Sequence, residues 1–450
     1  MLGWIAEICA QGVRRPGTAA DGWVQGFVAD AFRSFGLEAV RAEPFELPVW
    51  TPGRATLRAW PADRPAGAIE VEGFPLPHSA PTHGVEGDLV SLDDGSDVAG
   101  HLALHRFALA QVPQAFFRAL ATDHHDPDGD FDDEIHVLPF GPLLQNVMDP
   151  AVERGAAGFV GLLTGVPWET CGYYVPYDGL ERPIPGLWVS PADAARLETL
   201  VAAGPVRARI EVTSTREQAR SANVVGELAG ASEEWVVIGT HHDAPWASAV
   251  EDASGVALLL AQARHWASIP REKRPHNLLF VSMGGHMVDG AGTRSFIERH
   301  RDLLDQVVLE VHLEHVARLG RVDGDRLVPT DKPESRWWFT SRIPELEAEV
   351  GAVIRDEDLR RSLVLHPEAL GPVPPTDGGF FHGAGVPMVN LLAAPMYLFD
   401  PADTIDLVHG PSLEPITRAA ARLIGWTMGR TAAGMRAATA NHPLGDVNSR

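Results

Sequence analysis

The chain has 450 residues, 45% hydrophobic and 22% charged, with a formal net charge of −23. That composition supplies a large core and two or three domains, and its negative charge argues against nucleic acid and anionic membrane surfaces as partners. Cys9 and Cys171 are too few for a disulfide framework, no window of about 18 apolar residues reads as a membrane span, and Met1–Gln11 lacks the basic start of a signal peptide, so a cytoplasmic protein is expected.

Residues 21–35, DGWVQGFVADAFRSF, place Trp23, Phe27, Ala31 and Phe32 near helical spacing, with Asp21 as N-cap and Gly36 as the stop. A strand over Leu37–Ala42 follows. From about Leu47 to Arg216, prolines and glycines are dense and apolar runs are short (ATLRAW, HLALHRF, AGFVGLL, RARIEV), which predicts short strands joined by loops. Within this region DHHDPDGDFDDE (123–134) has Phe131 and Val137 where a calcium loop needs Gly and Glu, so it reads as a solvated acidic loop. From Asn223 the texture changes. VVGEL and EWVVIGT predict strands, 255–267 a helix, NLLFVSMGG a strand, TRSFIERHRDLL a helix, VVLEVHLEHVA and VPMVNLLAA strands, and 412–430 a long helix. Strands alternating with helices imply a mostly parallel sheet covered on both faces. The last segment, 431–450, lacks periodicity and reads as a loose tail.

In such a sheet, functional groups collect just past the carboxyl ends of the strands. EWVVIGT is followed by His241, His242 and Asp243; one can ligate a metal while another orients it, although a polar loop accounts for them equally well. Glu251 and Asp252 precede the helix at 255. Capping by Asp252 or Ser254 is the plainer reading, and the upstream histidines favour metal binding by Glu251. NLLFVSM ends in Gly284, Gly285 and His286, a candidate ligand or proton-transfer group, or a structural histidine. In VVLEVHLEHVA, alternation puts His312 and Glu314 on one face, and Leu313 and His315 on the other. A carboxylate in so apolar a strand is costly unless paired or metal-bound, which makes Glu314 the strongest single candidate. Nitrogen and carboxylate ligands suit zinc, and also iron or manganese. No G-x-S-x-G elbow surrounds Ser254, and no Walker-type loop occurs.

The order of these blocks resembles the co-catalytic zinc peptidase family that includes bacterial leucyl-type aminopeptidases, glutamate carboxypeptidase and the transferrin receptor. NVVGELAG, VVIGTHHDAPW, EDASGVALLLAQAR, LLFVSMGG, GAGTRSF and FDPADTID carry the resemblance. GAAGFVGLLT and IPGLWVSPADAARL look like the protease-associated domain that many members carry, which usually walls the substrate cleft. The resemblance implies a zinc-exopeptidase-like α/β domain (1–47 and 218–430), a β-rich protease-associated-like insert (48–217) and the tail. It makes His241 a zinc ligand oriented by Asp243, and puts Glu251 and Glu314 at two metal aspartates. The general-base glutamate falls on His286, and two further zinc ligands fall on Met287 and Phe399, which are not plausible ligands.

These departures imply one metal ion, held by His241, Glu251 and Glu314, with His286 as general base or fourth ligand. His242, Asp252 and His312 are further ligand or supporting candidates. Trp246, Asp377 and His382 are candidates for the substrate pocket. The expected function is metal-dependent hydrolysis of an amide bond in a small peptide or acyl-amino compound. The alternatives are a catalytically inactive binding or scaffold protein, and a non-hydrolytic lyase or oxidoreductase on the same fold. A homodimer is compatible with an acidic two-domain enzyme.

Overall fold

The computed structural model describes residues 1–440. Helix α1 (Leu2–Cys9) opens the chain. Helix α2 (Ala19–Phe35) follows, capped not by Asp21 but by Thr18, whose side chain accepts the Asp21 N–H. It stops at Gly36, whose φ of 88° is the left-handed conformation that glycine tolerates.

The strand expected at Leu37–Ala42 is instead β1 (Glu38–Pro61), 24 residues long. Then come β2 (Ile69–Pro75), β3 (Thr82–Ser91), β4 (Leu102–Ala108), β5 (Gln111–Pro113), α3 (Gln114–Leu120), β6 (Asp123–His125) and β7 (Ile135–Val137). They are followed by α4 (Asp149–Glu153), β8 (Gly158–Gly165), β9 (Gly186–Val189), α5 (Pro191–Ala202) and β10 (Val206–Leu228). β1 and β10 pair antiparallel from Glu38↔Glu227 to Pro61↔Val206, so positions 47/48 and 217/218 lie inside continuous strands. Pro44, Pro48 and Pro52 are spaced by four, which puts their missing N–H groups on one edge of β1. β2 covers that edge only from Ala55. The pairings β1–β2, β2–β9, β9–β8, β8–β4, β4–β3 and β3–β10 close into a ring with β1–β10. Leu57, Val71, Leu104, Val160, Leu187 and Ile210 belong to a hydrophobic cluster of this region alone.

The chain continues through β11 (Trp235–His241), α6 (Ser254–Ser268), β12 (Asn277–Met283), α7 (Ala291–Arg299), α8 (Arg301–Leu304), β13 (Val307–Leu313), β14 (Arg318–Asp323) and β15 (Arg326–Pro333). It ends with β16 (Arg336–Thr340), α9 (Pro344–Asp356), β17 (Ser362–Leu365), α10 (Gly378–Gly383), β18 (Met388–Leu392), α11 (Gly410–Trp426) and α12 (Ala432–Ala440). β12, β11, β13 and β18 are parallel neighbours in that order. β10 joins β12 antiparallel, and β16, β17 and β6 extend the far edge. One 14-stranded sheet results, mostly parallel at its centre. Alternation along β11 sends Val236 and Ile238 to the cluster that includes Val28, Leu259 and Leu423, while Val237 packs with Phe296 and Phe381 on the opposite face.

Two further expectations change. The segment 123–134 is only in part the solvated loop expected: residues 123–125 form β6, which pairs with β17, and Phe131 is buried, while Asp128, Asp132 and Asp133 stay exposed in turns; Asp123, Asp128 and Glu134 meet Arg355, Arg360 and Arg361 at 2.6, 2.7 and 2.5 Å. Residues 432–440, assigned to the tail, form α12 with Ala432 and Met435 buried; their alanine-rich sequence favours helix. Residues 441–450 of that tail lie outside the described residues. No helix among the described residues is long and apolar enough to cross a membrane.

Candidate metal centre

Three parallel strands end at one place. His241 is the last residue of β11. β12 stops at Met283, and Gly284 and Gly285 (φ 76° at Gly285) turn the chain so that His286 follows. β13 stops at Leu313, directly before Glu314 and His315. Glu251 lies on the turn leading into α6, and its peptide bond to Asp252 is cis. Two supports hold that turn. Asp403 accepts the N–H groups of Val250 and Glu251 at 2.8 and 2.9 Å, and the buried Arg14 donates to the carbonyls of His242, Ser248 and Glu251. Burial pushes the Asp403 carboxyl up to about 7, against the lowering effect of those two N–H groups.

His241, Glu251, Glu314 and His315 are all buried, and His286 is 9% exposed. His241 Nδ1 donates to the Asp243 carbonyl at 3.0 Å, and His315 Nδ1 donates to the Ala393 carbonyl at 2.7 Å. Each ring therefore presents its Nε2 to Glu251, at 3.5 Å for His241 and 2.7 Å for His315. Burial, together with His286, His315 and His312, holds the His241 pKa well below the ordinary value, so its Nε2 is a bare lone pair. His241 Nε2, Glu251 Oε1 and Glu314 Oε2 are buried without a hydrogen-bond partner, whereas Glu251 Oε2 lies 2.7 Å from His315 Nε2 and Glu314 Oε1 2.9 Å from His312 Nε2. Buried lone pairs facing one another are costly unless a cation lies between them. Two overlapping sets, His241–Glu251–His315 and His241–His286–Glu314, each offer ligand atoms within 4.8 Å of one another. Imidazole and carboxylate donors fit zinc and iron.

His286 stacks on His241, ring centroids 4.0 Å apart. Its Nδ1 is 3.2 Å from Asp377 Oδ1 and its Nε2 3.8 Å from Glu251 Oε1. Burial lowers its pKa, but Asp377, with Glu251 and Glu314, outweighs that and pushes it up to about 10. His315 is likewise lowered by burial and raised by Glu251, to about 10. His312 bridges two carboxylates, with Glu310 2.8 Å from Nδ1 and Glu314 2.9 Å from Nε2.

Several sequence expectations need correction. The Asp243 side chain does not hold His241: its carboxylate accepts the N–H groups of His286 and Met287 at 3.0 and 2.8 Å, and only its backbone carbonyl reaches the ring. His242 points away, towards Ser282 at 3.0 Å and Asp21 at 3.2 Å. Asp252 accepts from Thr240 and from the N–H groups of Gly255 and His315, so of the two roles expected for it the bonds are those of a supporting residue rather than a ligand. His382 pairs with Glu368 at 2.9 Å, apart from the cluster. Trp246 donates to the Phe399 carbonyl and stacks under Arg15, and it is not among the residues that line the cavity. Asp377 is at the site, as the partner of His286. Two residues were missed. His315 was assigned to the opposite face, but the strand ends at Leu313 and the φ of 56° at His315 breaks the alternation. Tyr177 reaches in from the β-rich half and stacks on His286 at 5.8 Å. Burial, with Glu251 and Glu314 nearby, raises its pKa and keeps the phenol protonated.

A parallel α/β sheet that brings buried histidines and carboxylates together at its strand ends is an arrangement suited to holding a metal ion. Residues 223–424 match the family model described as Peptidase family M28. A search of curated proteins returns no match. Among solved structures, the chain is similar to a peptidase M28 precursor from Shewanella amazonensis, at 19% identity over 95% of this chain and 92% of that one, with a TM-score of 0.70. It is also similar to a zinc aminopeptidase from Bacillus subtilis (16%, 96% and 94%, TM-score 0.65) and to an aminopeptidase from Aneurinibacillus sp. strain AM-1 (18%, 96% and 93%, TM-score 0.60). At these identities the likeness establishes the fold, including the part before residue 223.

Proposed function

We propose that the protein is a hydrolase that uses one metal ion, with zinc the best fit, to cleave an amide bond in a small peptide or acyl-amino compound. The observation that carries this reading is the bare His241 Nε2, buried against Glu251 without a hydrogen-bond partner. Its Nδ1 is committed to the Asp243 carbonyl, so His241 has one lone pair to give. Both candidate ligand sets use that lone pair, which favours a single ion. His241, Glu251 and His315 would hold it, with Glu314 beside them. Met287 and Phe399, where the resemblance puts the ligands of a second ion, are buried apolar side chains.

A bound ion would supply Lewis acidity to the substrate carbonyl and a water of lowered pKa. His286, with Nδ1 held by Asp377, is protonated while Glu251 and Glu314 carry uncompensated charge; an ion that offset those carboxylates would lower its pKa, and its Nε2 would then be free to accept a proton from the attacking water and return it to the departing nitrogen. The Tyr177 hydroxyl donates a hydrogen bond to the substrate carbonyl oxygen. Residues 48–217 act as a protease-associated-like insert that walls the cleft; Phe116, Phe117, Leu138, Phe140 and Tyr177 line the cavity from that side. The unpaired thiols Cys9 and Cys171 fit a cytoplasmic location.

His286→Ala tests the scheme. It should keep the ion and lose turnover by about 10²- to 10⁴-fold, with the acidic limb of the pH profile gone. Loss of the ion instead makes His286 a ligand. A second reading has a specific basis: His241, Glu251 and His315 are a two-histidine, one-carboxylate set, which also suits iron in oxygen chemistry. The identity of the ion and a dependence on oxygen separate the two.

A further inference from the structure

Five arginines among the described residues are almost fully buried, and four of them have acceptors at hand. Arg14 donates to the carbonyls of His242, Ser248 and Glu251, Arg182 to both oxygens of Asp178, Arg336 to the Arg360 carbonyl, and Arg361 to Glu134. Arg15 is the exception. It is 8% exposed, and its Nε and Nη2 are buried without a hydrogen-bond partner among the described residues. No carboxylate opposes its charge: burial lowers its pKa, and Tyr174 alone acts the other way. A guanidinium keeps its proton at ordinary pH, and a buried charge is costly unless it is paired and hydrogen-bonded.

Aromatic rings meet part of that need. The guanidinium carbon lies 4.8 Å from the ring centres of both Tyr174 and Trp246. These are two of four rings that meet in a closed circuit, Trp50–Phe74–Trp246–Tyr174, with centroids 5.1 to 6.5 Å apart. Trp50, Phe74 and Tyr174 come from the β-rich half, and Trp246 from the turn after β11. A ring attracts the cation but offers no lone pair to Nε and Nη2. Those two nitrogens form one edge of the guanidinium, the fork that takes a carboxylate side-on. Donors are in excess nearby as well. Trp50 Nε1 and both nitrogens of His78, whose ring is 5.4 Å from Trp50, are buried without a partner. The charges acting on His78 are Arg182, Asp178 and Arg216, and Asp178 is held by Arg182 at 2.8 and 3.0 Å.

We propose that Arg15 is an anion site, whose Nε and Nη2 hold a small monovalent anion of the size of chloride or formate at the seam between the β-rich half and the metal centre's sheet. One guanidinium balances one negative charge, and a divalent anion would leave a charge buried and unpaired. With Arg15 and Tyr174 only 8% and 2% exposed, an anion carrying a bulky group is excluded. The site is separate from the metal centre, because Arg15 does not line that cavity. It braces the segment behind the cavity wall: Trp246 Nε1 and the Tyr174 N–H both donate to the Phe399 carbonyl, at 3.1 and 3.0 Å. Amide hydrolysis is not a premise of this assignment.

The test follows the melting temperature of the full-length protein as sodium chloride or sodium formate replaces sodium gluconate, a bulky anion, at constant ionic strength. Each series is run with zinc and after chelation, because an anion can also bind a metal ion. The expected result is a saturable rise of about 1–3 °C at ten times the dissociation constant, with or without zinc. Arg15→Met and Arg15→Gln, which keep an unbranched stem without the charge, should lose it. Crystals of the parent protein soaked in bromide or formate should show the anion at hydrogen-bonding distance from Nε and Nη2, a reading that needs no variant to fold. A stronger response to formate than to chloride assigns the site to a carboxylate, and the reverse to a halide. A rise that persists in both variants places the anion elsewhere and overturns the proposal. A flat series with no anion at Arg15 in the crystals also overturns it and leaves water as the partner of the fork.

Discussion

Two regions of the molecule are dense in acidic residues and histidines, and they differ in what surrounds them. Along 123–134, carboxylates meet cations: Asp123 with Arg355, Asp128 with Arg360, Asp130 with Lys332 and Arg361, Asp132 with Arg118, and Glu134 with Arg361. Apart from Arg361, these cations are at least partly exposed. At the strand ends, Glu251 and Glu314 are fully buried, and the groups facing them are imidazoles rather than arginine or lysine. The density of acid and histidine is therefore not what marks a site. Burial without a permanent counter-charge is, because it leaves lone pairs that only a proton or a metal ion can satisfy.

Removing ligands should break this contrast most strongly. His241→Ala should abolish ion binding and lower turnover at least about a thousandfold, in line with the several kcal/mol that a metal supplies. His315→Ala should also release the ion. If that variant binds metal as the parent does, Glu314 and His286 complete the site instead, and elemental analysis of both variants decides the point. The proton-or-metal choice predicts a pH effect. Without metal, His286 and His315 keep their protons to about pH 10, whereas an unfolded histidine releases its proton near 6.5. Their contribution to stability is complete below about pH 6.5 and is lost as pH rises through about 10. The melting temperature of chelator-treated protein should fall over that window, and added zinc should release at least one proton per ion at neutral pH, read by calorimetry in buffers of different ionisation enthalpy. The acidic segment should respond through stability alone. Arg361→Ala, at a 3% exposed side chain paired with partly exposed carboxylates, should cost on the order of 2 kcal/mol in denaturant unfolding and leave ion content unchanged.

Much of the M28-type sheet could be read from the sequence because its strands are apolar runs separated by amphipathic helices. Glu314 stood out for the same reason: a carboxylate beside VVLEVHL needs a partner. His315 did not, because strand alternation was carried past Leu313, where the backbone leaves the strand. The prolines of β1 read as loop signals, yet their spacing of four fits the edge of a strand that is partnered on its other side. The acidic segment read as solvated because its partners, Lys332, Arg355, Arg360 and Arg361, lie about two hundred residues away in sequence. Tyr177 was hidden likewise: its neighbours Glu251, His286 and Phe399 are brought to it only by the fold.

The most direct measurement is the metal content of untagged protein purified without chelator, by plasma mass spectrometry, before and after loading with excess zinc. The account predicts about one equivalent per chain, lost in His241→Ala. Two equivalents would contradict the single-ion centre. None, even after loading, would contradict metal-dependent hydrolysis and favour a binding or scaffold role for the same fold.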